Sequence, residues 1–152
     1  SRIIDGTFFF NEGLYYLFFG KHHNADSVLN LFYSDSIENE FKPHPKNPIV
    51  INPSNARMGG QILSYENKLY RLGQNNCFGY GEKLSLNEIT NIDKHNYCEK
   101  FITEIQISNF KGPHTLNING DKFLFDFYED RFSIFAGLRR LLLLFKTKNQ
   151  SK

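Results

Sequence analysis

Apolar positions open the chain in two aromatic-rich runs, residues 7–10 and 14–19 of SRIIDGTFFFNEGLYYLFFGK, parted by Asn11-Glu12-Gly13. Such runs suit a pleated, half-buried surface, and a glycine near the end of a three-residue loop suits the bend between them, so the pattern predicts a β-hairpin. VLNLFYSD (28–35) supplies a third strand. Prolines at 43, 45, 48 and 53 then rule out a helix and mark an extended connector. A second hairpin follows, with QILSY and LYRLG alternating around the polar turn Glu66-Asn67-Lys68. KLSLNEI (83–89) and YCEKFITEIQI (97–107) read as further strands. A third hairpin turns at Asn119-Gly120-Asp121, where Asn-Gly tolerates the positive φ that a tight turn demands.

Leu14, Leu69 and Phe123 hold matching places just after the three turns, 55 and then 54 residues apart, so the chain is an internal repeat. A tight hairpin followed by one or two strands and a connector is the layout of a four-stranded propeller blade. The predicted fold is therefore all-β: a partial β-propeller of about three antiparallel, four-stranded blades over roughly 1–50, 51–107 and 108–131. Asp5, Gly60 and His114 lie nine residues before the anchors and would open the innermost strand of each blade, facing the central channel. Residues 132–152 change character. Ile134, Phe135, Leu138, Leu141, Leu142 and Phe145 follow helical spacing, with Arg139, Arg140, Lys146 and Lys148 as a positive edge. This predicts a C-terminal amphipathic helix and basic tail covering one end of the sheets. Weak contact with an anionic membrane surface, or docking to a partner domain, is the alternative, since four successive leucines are too short to span a bilayer. Three blades cannot close a ring. Either blades lie upstream or the chain forms homo-oligomers.

Aromatic content of 16%, with sixteen Phe and eight Tyr, supports sheet over helix. A net charge of +2 gives no reason to expect a nucleic-acid partner, which needs a concentrated basic face. Cys77 and Cys98 have neither metal-ligand spacing nor a CxxC arrangement. They read as thiols of a reducing, cytoplasmic compartment, with a mutual disulfide as the open alternative. The chain starts at Ser1, directly before a strand pattern, and so reads as a fragment. His22 and His23 lie near Asp26, but no further ligand stands at regular spacing, so no metal is expected. Nor is a cofactor, for neither a phosphate-cradling glycine loop nor GxSxG is present.

The stretch NARMGGQILSYENKLYRLGQNNCFGYGE (55–82) carries the candidate chemistry. Arg57, Gln61, Arg71, Gln74 and Tyr80 offer the donors and acceptors that a sugar hydroxyl or carboxylate requires, and His114 joins them by its repeat position. Arg57 and Arg71 lead, because a planar fork holds adjacent hydroxyls or a carboxylate in two parallel bonds. The competing account pairs these arginines structurally with Asp5 or Glu82 and gives the glycines to turns. Asp5 is the candidate catalytic or channel carboxylate, or else a turn cap beside Gly6; His114 is a base or sugar ligand, or a histidine fixed at a strand start.

Asp5, HPKNPI (44–49), ARMGG (56–60), LYRLGQ (69–74), Tyr80-Gly81 and GPHTLN (112–117) together resemble a known family. It is the five-bladed propeller domain on the N-terminal side of plant glucosamine inositolphosphorylceramide transferases and of bacterial proteins with a formyltransferase domain, itself similar to the furanosidase and fructosidase propellers of glycoside hydrolases. The resemblance covers Ile4 to about Asp130, the last three blades. It implies a carbohydrate-recognition or accessory domain, with a sugar or glycan ligand and a fused or associated transferase domain. A glycoside hydrolase remnant and a ligand-free scaffold are the alternatives. In the hydrolases three carboxylates at blade openings do the chemistry, and only Asp5 stands at such a place here. Gln61 replaces an arginine common in the family, which keeps hydrogen bonding and removes a charge.

Overall fold

The computed structural model describes residues 2–77, 79, 82–107 and 111–127. Among them the chain is all-β, in three antiparallel sheets. β1 (Ile3–Asn11), β2 (Leu14–Lys21), β3 (Val28–Ser34) and β4 (Lys42–Pro43) lie in sequence order in the first sheet, and β5 (Val50–Ile51) also pairs with β3. β6 (Arg57–Met58) and β7 (Leu63–Tyr65) both pair with β8 (Lys68–Asn75), which is followed outward by β9 (Lys83–Ile92) and β10 (Tyr97–Ile105). β11 (Leu116–Asn119) and β12 (Lys122–Phe125) form the third sheet. The C-terminal helix expected over 132–146 lies outside the described residues, as does Tyr80.

The hairpin loops are one residue shorter than the sequence suggested. Asn11 pairs directly with Leu14, Tyr65 with Lys68 and Asn119 with Lys122, leaving two-residue turns. Glu12 (φ 48°) and Gly13 (φ 80°), then Glu66 (φ 48°) and Asn67 (φ 60°), have both central residues at positive φ. Such turns match the right-handed twist of the flanking strands. The first residues past the turns, Leu14, Lys68 and Lys122, recur at intervals of 54 and 54. The spacing of 55 and 54 arose from anchoring on hydrophobic residues, because Leu69 and Phe123 are each one place further along their strands.

The core fills the space between the first two sheets. Tyr16 and Phe18 alternate inward from β2, Leu29 and Leu31 from β3, and Met58, Ile89, Ile92 and Tyr97 meet them from the second sheet. Phe18 and Tyr97 pack edge to face with centroids 6.0 Å apart. The first strands of the hairpins also meet. Thr7 Oγ1 donates to the Gly60 carbonyl (3.2 Å), Gly60 forms a parallel bridge with Leu116, and Leu116 N donates to Gly59 O (2.8 Å).

Polar side chains of the proline-rich connector anchor it. Asn47 Oδ1 accepts from Leu31 N (2.7 Å) while its Nδ2 donates to Leu31 O (2.6 Å), as a neighbouring strand would. The ring of His44 is buried, accepting from Lys46 N at Nδ1 (3.1 Å) and so donating from Nε2 to Asp93 O (3.0 Å). Asn47→Ala is expected to cost about 1–3 kcal/mol, because the Leu31 N–H loses its partner. Urea unfolding checks this; a change within about 0.5 kcal/mol of zero would show that water replaces the amide.

Candidate functional site

Arg57 opens β6 and reaches across to the first sheet. Its Nε donates to Asp5 Oδ2 (2.6 Å) and its Nη1 to Asp26 Oδ1 (2.7 Å). Asn76 Nδ2 also donates to Asp26 Oδ1, at 3.2 Å. The arginine side chain is 17% exposed, against 38% for Asp5 and 64% for Asp26, so both carboxylates look outward over a partly covered cation. Asp5 sits where the β1–β2 register shifts between Ile4 and Thr7, with φ at 49°. Aspartate is among the few side chains that tolerate this left-handed region, and positions held there concentrate at ligand sites.

Arg71 occupies a different environment. Its side chain is 0% exposed, and Nε and Nη2 donate to Glu99 Oε2 (2.7 Å) and Oε1 (2.6 Å) while Nη1 donates to Asn55 O (2.8 Å). Tyr97 OH donates to the same Glu99 at 2.5 Å. Burial opposes the charge of Arg71, but hydrogen bonding and attraction from Glu99 outweigh it and raise its pKa further; burial likewise pushes the Tyr97 phenol well above its ordinary value. The structural partner of this arginine is thus Glu99, rather than Asp5 or Glu82.

The other candidates divide between neighbourhoods. Gln74 pairs with Arg57 across β6 and β8, so the two side chains share one face with Cβ atoms about 5 Å apart. Its Nε2 donates to Met58 O (2.8 Å); the residue is 1% exposed, and its Oε1 has no partner. Gln61 ties the second sheet to the third: its backbone N donates to Asn117 Oδ1 (3.1 Å) and its Nε2 to Ile118 O (2.6 Å). His114 Nδ1 pairs with Asp126 Oδ2, and Asp126 Oδ1 accepts from Thr115 N (2.7 Å) and Thr115 Oγ1 (3.0 Å).

The structure therefore joins Asp5, Arg57 and Gln74 and sets Arg71, Gln61 and His114 in separate networks. Asp26 and Asn76 complete the cluster. No spacing could have revealed them, because Asp26 lies 31 residues before Arg57 and its loop reaches the site only through sheet packing. Among the described residues no group of three or more His, Cys, Asp or Glu is placed to hold a metal, and no helix is long and apolar enough to cross a membrane. Cys77 and Cys98 are both free thiols. Two larger hollows lie elsewhere: a polar cleft of about 690 Å³ lined by Asn11, Glu12, Lys68, Thr90 and Asp93, and an apolar one of about 790 Å³ between Tyr65, Tyr70, Ile102 and Phe123. Neither includes Arg57.

Comparison with known proteins bears on this arrangement. Residues 1–124 match the family model described as glucosamine inositolphosphorylceramide transferase 1, N-terminal. The protein named glucosamine inositolphosphorylceramide transferase 1 in Arabidopsis thaliana is 32% identical over 122 residues, covering 76% of this chain and 16% of that protein. Its namesake in Oryza sativa subsp. japonica is 33% identical over 103 residues, 64% of this chain and 14% of that protein. The chain thus spans about a sixth of the length of these curated relatives. No solved structure matches it.

Proposed function

As this chain belongs to the glucosamine inositolphosphorylceramide transferase 1 N-terminal family, we propose that it is a carbohydrate-recognition module of a glycolipid-modifying transferase, built from consecutive blades of a β-propeller. The blade reading is supported by the 54-residue recurrence of the turns and by the first strands of the three hairpins meeting through Thr7, Gly60 and Leu116. The site is the Arg57 cluster. The observation that carries it is Asp5, held at φ 49° with its carboxylate on Arg57 and still open to solvent. Paired carboxylates, a guanidinium and carboxamides are the planar polar groups that match adjacent sugar hydroxyls.

Binding without cleavage is the favoured activity. Glycoside hydrolysis divides its labour between a protonated carboxyl and an ionised one on either side of the scissile bond. Here Asp5 and Asp26 are both committed to one guanidinium. The 152-residue chain should cleave no furanoside or pyranoside. In titrations with monosaccharides, Arg57→Ala should remove more affinity than His114→Ala, because a charge-assisted contact contributes about 1.5–3 kcal/mol against about 1 for a neutral hydrogen bond. Equal losses would sink the Arg57-centred site, and turnover by the chain alone would sink the non-catalytic reading.

A further inference from the structure

Resting on that carbohydrate reading, we infer that the Arg57 cluster recognises an ammonium-bearing sugar in preference to a neutral one and discriminates against a uronate. Charge is the first ground. Among the described residues the cluster holds one cation, Arg57, and two carboxylates, Asp5 and Asp26, so it carries a net charge of about −1 at neutral pH. The guanidinium already donates to both acids, and the Asn76 amide also donates to Asp26. An incoming carboxylate would meet two like charges, each facing solvent.

Hydrogen-bonding valence is the second, independent ground. Three buried side-chain oxygens lack a donor, namely Asn24 Oδ1, Asn55 Oδ1 and Gln74 Oε1. All three belong to residues tied to the cluster. Gln74 is the cross-strand partner of Arg57 and lies on its face, Asn55 precedes Arg57 by two residues, and Asn24 precedes Asp26 by two. Asp5 Oδ1 and Asp26 Oδ2 likewise accept nothing among the described residues. Every unmet group is an acceptor. A buried acceptor without a donor costs free energy, which a ligand rich in donors recovers. An ammonium group supplies three N–H donors and a positive charge, whereas an N-acetyl group supplies one N–H and adds an acceptor.

The test is a titration of the 152-residue chain with glucosamine, N-acetylglucosamine and glucuronate at neutral pH, followed by amide chemical shifts. Glucosamine is expected to bind about three- to tenfold more tightly than N-acetylglucosamine, the range for one partly exposed charge pair, and glucuronate most weakly. Raising the salt concentration should narrow this gap. Asp26→Asn, nearly isosteric at an exposed position, should bring glucosamine down to the N-acetylglucosamine level and leave the latter unchanged. Asp26→Lys should make glucuronate the best of the three. Equal affinities for all three sugars, or glucuronate binding tightest to the unaltered chain, would overturn the charge preference while leaving a carbohydrate site in place. Binding of none of them would overturn both readings.

Discussion

Arg71→Ala should unfold the second sheet at markedly lower denaturant, with a loss of about 3–5 kcal/mol, because it strands Glu99 beside a wholly buried space. The guanidinium is 0% exposed and holds β8 to β10 through Glu99 while fixing the backbone of Asn55. Losing one partner of such a pair costs more than losing both. Arg71→Met combined with Glu99→Leu should therefore recover a large part of the deficit, since two apolar side chains of similar volume leave no charge uncompensated. Urea unfolding of the single and double variants decides the matter. A single variant within about 1 kcal/mol of the parent would mean that water enters and solvates Glu99.

Gly60→Ala is the second large effect, and it acts through backbone geometry. Gly60 has φ at 141°, outside the range L side chains adopt, and an added Cβ would lie 2.1 Å from the Leu116 carbonyl oxygen. Because the obstacle is backbone, β7 and β11 have to part. The expected cost is about 2–4 kcal/mol, combining strain with loss of the bridge between the second and third sheets. Hydrogen exchange should locate it, with protection at residues 116–119 falling first while β2 and β3 keep theirs. Gly13→Ala is the matched control. Gly13 also has positive φ, at 80°, but nothing lies within 4 Å of its added Cβ, so only the left-handed penalty of about 1–2 kcal/mol applies. Equal effects of the two substitutions would show that the contact with Leu116 contributes nothing.

These two glycine and arginine positions show how far the sequence could be read. Three hairpins were legible because aromatic and branched residues alternate around turn residues that tolerate positive φ, and both signals are local. The turn lengths were off by one because Asn11, Lys68 and Asn119 look like loop residues yet complete a ladder. The side-chain environment of Arg71 was illegible. Whether an arginine reaches solvent or a buried Glu99 depends on which way β8 faces and which strand lies two places across the sheet. Arg57 was singled out for its fork of donors, but its partner Asp26 sits in a loop after β2 that the sequence associates with the two histidines beside it. Pairings of that kind arise only when sheets pack, so composition and spacing carry no trace of them.

The Asn47 carboxamide has a consequence for how this chain meets other chains. β4 pairs with β3 at Phe32 and Tyr33, β5 pairs with it at Val28 and Leu29, and between them the outer edge of β3 is interrupted at Leu31. An aromatic-rich strand with a gap in its hydrogen-bonded edge is a template on which a second polypeptide can add itself. By bonding both the N–H and the carbonyl of Leu31, one side chain occupies that gap and denies it to a foreign strand. Crowding and high expression are the conditions in which this protection tells, and Asn47→Ala protein should then accumulate as insoluble, sheet-rich aggregate before it loses its native fold in dilute solution.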